Sequence, residues 1–160
     1  DVYKRQPFRE LLEDERIIRT GSGARFVEFA CQGQQCSLDH ANFVIARGGS
    51  LMWLTKLATS RVASFHEALR IAGTPCFVSF DIDAVQGSDC PGVSCPGSVG
   101  LTAQDALDIS LAAGASPSVL LMDVSELNPA VEDYRSPRLA VMMFYHFLMG
   151  LATRVEGVAE

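Results

Sequence analysis

The chain has 160 residues, 48% apolar and 20% charged, with a formal net charge of −6 and a pI near 5.0. That is the size of one ordinary domain, with enough apolar matter to bury a core rather than remain disordered. The acidic balance and the lack of any Lys/Arg run argue against a nucleic-acid partner, and no apolar stretch approaches the ~18 residues that a membrane span needs. Five cysteines, an odd number with no C-x-x-C pair, fit free thiols in a reducing compartment, so a cytoplasmic setting is expected.

The opening DVYKRQ, Asp1 to Gln6, resembles a translated adaptor and is set aside, leaving residues 7–160 as part of one domain. PFRELLEDERI then predicts a helix with Pro7 in its first turn. RFVEFACQG predicts a strand. SLDHANFVIARGG predicts a helix capped by Ser37 and stopped at Gly48-Gly49. SLMWLTKL is strand-like, and SRVASFHEALRIAG is an amphipathic helix closed by Gly73. TPCFVSFD is a short apolar run of the kind expected for a parallel strand buried on both faces. TAQDALDISLAAG opens on a capping box, Thr102-x-x-Asp105. SVLLMDVSE predicts a second buried strand, and SPRLAVMMFYHFLMGLATR a last helix with Pro137 near its start. Its cluster VMMFYHFLM reads as core packing or a subunit contact. Strands alternating with helices in this way predict an α/β fold around a parallel sheet.

In such sheets ligands bind beyond the carboxyl ends of the strands. Asp81 and Asp83 stand at one such end, two residues apart and thus on one face of an extended chain, with Ser79 on the same side. Two carboxylates so close repel, and a divalent cation such as magnesium or manganese removes the conflict. The other reading is that Asp83 caps the following loop and Asp81 pairs with a buried base. Glu126, just after the apolar run at Val119 to Met122, belongs at the same rim. A carboxylate there is suited to a planar amidinium or guanidinium, or is an ordinary loop glutamate. Gln32, Gln34 and Gln35 follow a strand end and are candidates for contact with a substrate carboxylate. His40, at a helix start, reads as an exposed or capping residue, and Cys90 and Cys95 as loop thiols.

Taken together, SFDIDAV, the loop PGVSCPGSVGLT and DVSELNP, in that order, resemble three consecutive motifs of the ureohydrolases: the arginase, agmatinase and formimidoylglutamase family. PFRELLED, FACQGQQCSLDH, WLTKL and FYHFLMGLATR are most similar to the formimidoylglutamase branch. The resemblance implies a three-layer α/β/α, arginase-like fold with a mainly parallel sheet and two Mn2+ ions at the strand ends. It implies Asp81 and Asp83 as metal ligands, Asp81, Asp83 and Glu126 as catalytic residues, and Glu126 as the residue that binds the amidine. The implied reaction is hydrolysis of N-formimino-L-glutamate to L-glutamate and formamide, in histidine degradation. The full-length protein is then expected to form a homo-oligomer and to act on a small molecule. Two departures stand out. Gln86-Gly87 occupy the place of the family's usual Asp-Pro, and the family's Gly-Gly-x-His and Asp-x-His-x-Asp motifs are absent from the chain. The expectation is therefore the C-terminal part of such a protein, with the N-terminal part of the fold missing and the isolated chain inactive. An arginase- or agmatinase-type guanidine hydrolase and a non-catalytic ureohydrolase-like subunit are the alternatives.

Overall fold

The computed structural model describes residues 6–14 and 25–156; residues 1–5 of the stretch set aside above, and the end of the first helical pattern, lie outside them. In chain order the elements are α1 (Gln6–Glu13), β1 (Val27–Cys31), α2 (Leu38–Ala46), β2 (Ser50–Trp53), α3 (Arg61–Ala72), β3 (Cys76–Asp81), α4 (Ala103–Ala115), β4 (Val119–Ser125) and α5 (Arg135–Glu156). Short 3-10 turns follow β2 at Leu54–Lys56 and β3 at Ile82–Ala84, so the strand-like reading of SLMWLTKL holds only as far as Trp53.

The helix boundaries follow the expected chemistry. Ser37 and Ser60 accept the amide N–H of His40 and Ala63 (3.2 Å each), satisfying donors that a first helical turn leaves without partners. α3 ends at Gly73, whose φ of +82° favours glycine, and the Gly73 N–H closes on the Leu69 carbonyl at 2.9 Å. The Thr102–Asp105 capping box is formed in both directions, at 3.0 and 2.9 Å.

All strand pairing within the named strands is parallel, as expected for this fold class, and runs β1–β2 and β3–β4. The buried-strand expectation for TPCFVSFD and SVLLMDVSE is corrected. Phe77, Leu120 and Leu121 are 47%, 71% and 59% exposed. Among the described residues β4 pairs only with β3, in a two-stranded sheet, and the elements packed on it leave these apolar side chains uncovered.

The core instead lies beneath the carboxyl ends of β3 and β4, where Ile82, Val85, Cys90, Val93 and Leu101 pack with Ala106, Ile109 and Ala113 of α4 and Met143 of α5. On α5 the buried positions Leu139 and Met143, the half-buried Phe147 and then Gly150 recur at three- and four-residue spacing, which makes one face. The VMMFYHFLM cluster therefore divides. Met143 is fully buried, while Val141, Phe144, Tyr145, Leu148 and Met149 are exposed.

The α4–α5 crossing is closer than side chains permit. A Cβ at Gly114 would lie 2.1 Å from the Phe147 carbonyl oxygen, and one at Gly150 would lie 2.2 Å from that of Leu111. Arg154 then fastens the end of the pair, donating to the Ala113 carbonyl at 3.1 Å and to the Val119 carbonyl at 3.2 Å. Gly114→Ala should cost about 1–3 kcal/mol, because the clash is with backbone and α5 must move. A urea-unfolding midpoint unchanged from the parent chain would contradict this close packing.

Candidate active site

The rim is built from the strand ends upward. β3 stops at Asp81, whose carboxylate Oδ1 accepts the Asp83 N–H at 2.9 Å and so caps the 3-10 turn. This corrects the local geometry expected from strand alternation. A turn, not continued extended chain, sets Asp83 beside Asp81 and leaves Asp81 exposed but Asp83 only 8% exposed. The buried Asp83 Oδ1 accepts the Cys95 N–H at 3.1 Å, so this carboxylate also holds the following loop, as the plainer reading foresaw.

That loop, residues 91–101, is stitched to both strand ends. On the β3 side, the Gln86 N–H bonds the Leu101 carbonyl (2.9 Å) and the Gly87 N–H the Gly97 carbonyl (2.7 Å). On the β4 side, the Asn128 N–H bonds the Gly92 carbonyl (2.8 Å) and the Ser94 N–H the Glu126 carbonyl (3.3 Å). Gly100 is obligatory here, since a Cβ would stand 2.5 Å from the Ala84 carbonyl oxygen. Asp89, the acid that comes later than the family's Asp-Pro, accepts the Ala103 N–H at 2.9 Å. That bond, at the start of α4, holds its carboxyl below the usual range.

Glu126 is one residue past Ser125, the register partner of Asp81, and adjacent strands lie about 4.8 Å apart. Its φ is +67°, in the left-handed region that costs a non-glycine residue of order 1 kcal/mol or more and that clusters at functional sites. Ser79, expected on the side of the aspartates, donates to Asp123 Oδ1 across the strand pair at 2.8 Å.

The glutamines arrive from β1. A bulge at Ala30 (φ +59°) breaks the β1–β2 register between Phe29 and Cys31 and turns the chain into residues 32–37. There Gln35 Nε2 and Gln32 Oε1 lie against Gly97, within 3.1 and 3.3 Å of where a Cβ would be. Gln34 is exposed and donates to Gln32 Oε1 at 2.8 Å. The structure thus brings Gln35, with Gln32 behind it, to the loop held by Asp83, and turns Gln34 toward Gln32.

One contributor to the rim carried no sequence signal. Ser136, fully buried at the start of α5, accepts the Gly92 N–H at 2.7 Å and donates to Glu132 Oε2 at 2.8 Å. Glu132 in turn accepts the N–H groups of Arg135 (2.6 Å), Ser136 (2.8 Å) and Tyr134 (2.9 Å). Those bonds, Arg135 first, pull its carboxyl down from 4.5 to about 2. A carboxyl depressed in the folded state stabilises fully above its unfolded value and loses that contribution as pH falls through the folded one. Thermal stability conferred by Glu132 should therefore decline between about pH 4.5 and 2. The melting-temperature gap between the parent chain and Glu132→Gln should narrow over that window; a gap independent of pH would remove Glu132 from this role.

The donor set suits a hard divalent cation: two carboxylates, one at the rim and one in the floor, at the carboxyl end of a parallel strand. Among the described residues no third His, Cys, Asp or Glu joins Asp81 and Asp83 at mutual ligand distance. Two depressions lie away from this rim. One, of about 340 Å³, is at the amino ends of β3 and β4 beside His66, Arg70 and Ser118; the other, of about 240 Å³, lies between β4 and α5.

The acidic turn thus ends one strand of a parallel pair and Glu126 follows the other, and the chain that carries them belongs to the arginase family, whose model matches residues 18–150. Among curated relatives it is 29% identical over 149 residues to the formimidoylglutamase of Rhodococcus jostii (strain RHA1), an alignment covering 89% of this chain and 45% of that protein. It is 26% identical over 156 residues to the mitochondrial guanidino acid hydrolase of Rattus norvegicus, covering 94% of this chain and 42% of the other. Among solved structures, Trypanosoma cruzi formiminoglutamase with two Mn2+ ions superposes with a TM-score of 0.86 at 53% identity, covering 92% of this chain and 48% of that one. The chain spans about half the length of the relatives it matches. No helix among the described residues is long and apolar enough to cross a membrane.

Proposed function

We propose that this chain carries the Asp-x-Asp half of the active site of a manganese-dependent amidine hydrolase that converts N-formimino-L-glutamate and water to L-glutamate and formamide. The observation that carries the reading is the rim itself: the Asp81–Asp83 turn and Glu126 stand at adjacent strand ends under one shared loop. The 53% identity to a formiminoglutamase that holds Mn2+ supports the choice of substrate and metal.

Asp81 and Asp83 would hold the metal through their carboxylates, with the remaining ligands supplied from outside the described residues. When bound, paired divalent cations supply Lewis-acid charge and lower the pKa of water to a catalytically useful range. Glu126 binds the substrate's amidinium by two parallel charge-assisted hydrogen bonds and so orients the amidine carbon toward the aspartates. Gln35, with Gln34 beside it in the loop, donates amide N–H groups to the substrate's carboxylate. Hydrolysis then adds the elements of water across the C–N bond, releasing formamide and the amino group of glutamate. The protein acts in the cytoplasm, in histidine degradation, and assembles as a homo-oligomer, for which the exposed apolar stripe of α5 gives support.

The guanidino acid hydrolase relatives favour a second reading, in which the substrate is a guanidine. The complete protein that carries this chain, loaded with Mn2+, should release formamide from N-formimino-L-glutamate and no urea from arginine, agmatine or short guanidino acids. Urea release without formamide would transfer the site to the second reading, and neither product would make the chain a non-catalytic subunit of the family.

A further inference from the structure

Apart from Asp81 and Asp83, three side chains of metal-ligating types come together where the 32–37 loop joins β1 to α2. Glu28 projects from β1, Cys36 ends the loop, and His40 lies in the first turn of α2. One ligand atom from each lies within 4.8 Å of the other two, and among the described residues this is the group of three His, Cys, Asp or Glu side chains that meets that condition. We propose that Glu28, Cys36 and His40 form a binding site for a single zinc-class divalent cation, with solvent completing its tetrahedron.

The chemistry of the set selects the ion. A thiolate, an imidazole and a carboxylate together suit borderline-soft Zn2+, whereas Mn2+ and Mg2+ prefer oxygen shells. Tetrahedral bonds of about 2.0–2.3 Å place ligand atoms roughly 3.3–3.8 Å apart. In this structure the His40 Nε2 and Glu28 Oε2 atoms are hydrogen-bonded at 2.7 Å, so ion entry requires these two to part by somewhat under an ångström. The side chains of His40 and Glu28 are 23% and 31% exposed, and Cys36 is half-buried, which leaves a path from solvent and partial protection once bound. Cys31 lies outside the set, with its buried thiol donating to the Glu28 backbone carbonyl at 3.1 Å.

The surroundings hold the backbone of Cys36 and His40 in place. The Ser37 side chain caps α2 on the His40 N–H (3.2 Å), and the N–H groups of Gln35 and Cys36 both fold back on the Gln32 carbonyl (2.9 and 3.0 Å). A cation here would tie β1 to α2 across a loop whose Gln32 and Gln35 lie against Gly97. It would therefore clamp the segment that meets the 91–101 loop without itself reaching the acidic rim.

Cobalt is the probe, because Co2+ bound by a thiolate shows a near-ultraviolet sulfur-to-metal charge-transfer band that an all-oxygen site does not give. The full chain titrated with Co2+ should develop this band to one equivalent, and Zn2+ should bleach it. Cys36→Ser should abolish it, with far-ultraviolet circular dichroism reporting that the fold is kept. His40→Gln should weaken Co2+ binding by more than the about 10–100-fold that losing an outer-shell partner costs. Cys95→Ser and the pair Asp81→Asn/Asp83→Asn should leave the band intact. The proposal is overturned if no band forms, if it survives Cys36→Ser, or if it is lost in Cys95→Ser; affinity unchanged in His40→Gln overturns it as well.

Discussion

Asp83→Asn, made in the complete protein, should lower kcat/KM for the amidine by at least about a hundredfold and reduce its manganese content. Loss of an outer-shell partner alone costs about 10–100-fold at metal sites, and the proposed role places Asp83 on the metal itself. Asparagine is the informative replacement because the structure gives Asp83 a second task. Its Oδ1 accepts the Cys95 N–H, and an amide oxygen can still accept that bond, so the 91–101 loop keeps its anchor while the charge is lost. Metal analysis and kinetics on the same preparation check both arms. Full activity with full metal content would reduce Asp83 to an anchor for the loop.

Glu126→Gln should behave differently. Glutamine has the shape of glutamate, so the left-handed backbone at this position (φ +67°) and the Ser94 bond to the residue 126 carbonyl are undisturbed. What disappears is the charge facing the amidinium, a hydrogen bond worth about 1.5–3 kcal/mol and therefore about 10- to 160-fold in kcat/KM. Metal content should match the parent. A variant that loses manganese along with activity would place Glu126 among the ligands, and one with parental kinetics would make it an ordinary loop glutamate.

Much of the fold was legible because the signals are local. Ser37, Ser60, the Thr102–Asp105 box and Gly73 each act within four residues, so the helix ends appear where the sequence puts them. The placement of Asp81 and Glu126 at strand ends was legible for a similar reason, since an apolar run followed by an acid is itself the pattern. What escaped depends on contacts distant in the chain. Ser136 reaches Gly92 across 44 residues, and His40 reaches Glu28 across 12, from helix to strand. The i, i+4 spacing of Cys36 and His40 was visible, but nothing in their vicinity announced the third member. Strand alternation failed at Asp83 because Asp81 caps its own successor turn, a choice open to any Asp at a strand end. The exposure of Leu120 and Leu121 escaped for the opposite reason: an apolar run reports a preference for burial, not the presence of something to bury it.

The glycine contact between α4 and α5 has a consequence for motion. Where two helices meet through side chains, rotamer changes can absorb a relative shift of the helices. At Gly114 and Gly150 the backbones meet directly, against the carbonyls of Phe147 and Leu111, and there are no rotamers to change. With Arg154 closing the end on the Ala113 and Val119 carbonyls, the two helices and the start of β4 should open together as one cooperative unit. Amide protons throughout that unit would exchange through a single shared opening, whereas those of the 32–37 loop, which lies outside it, answer to their own.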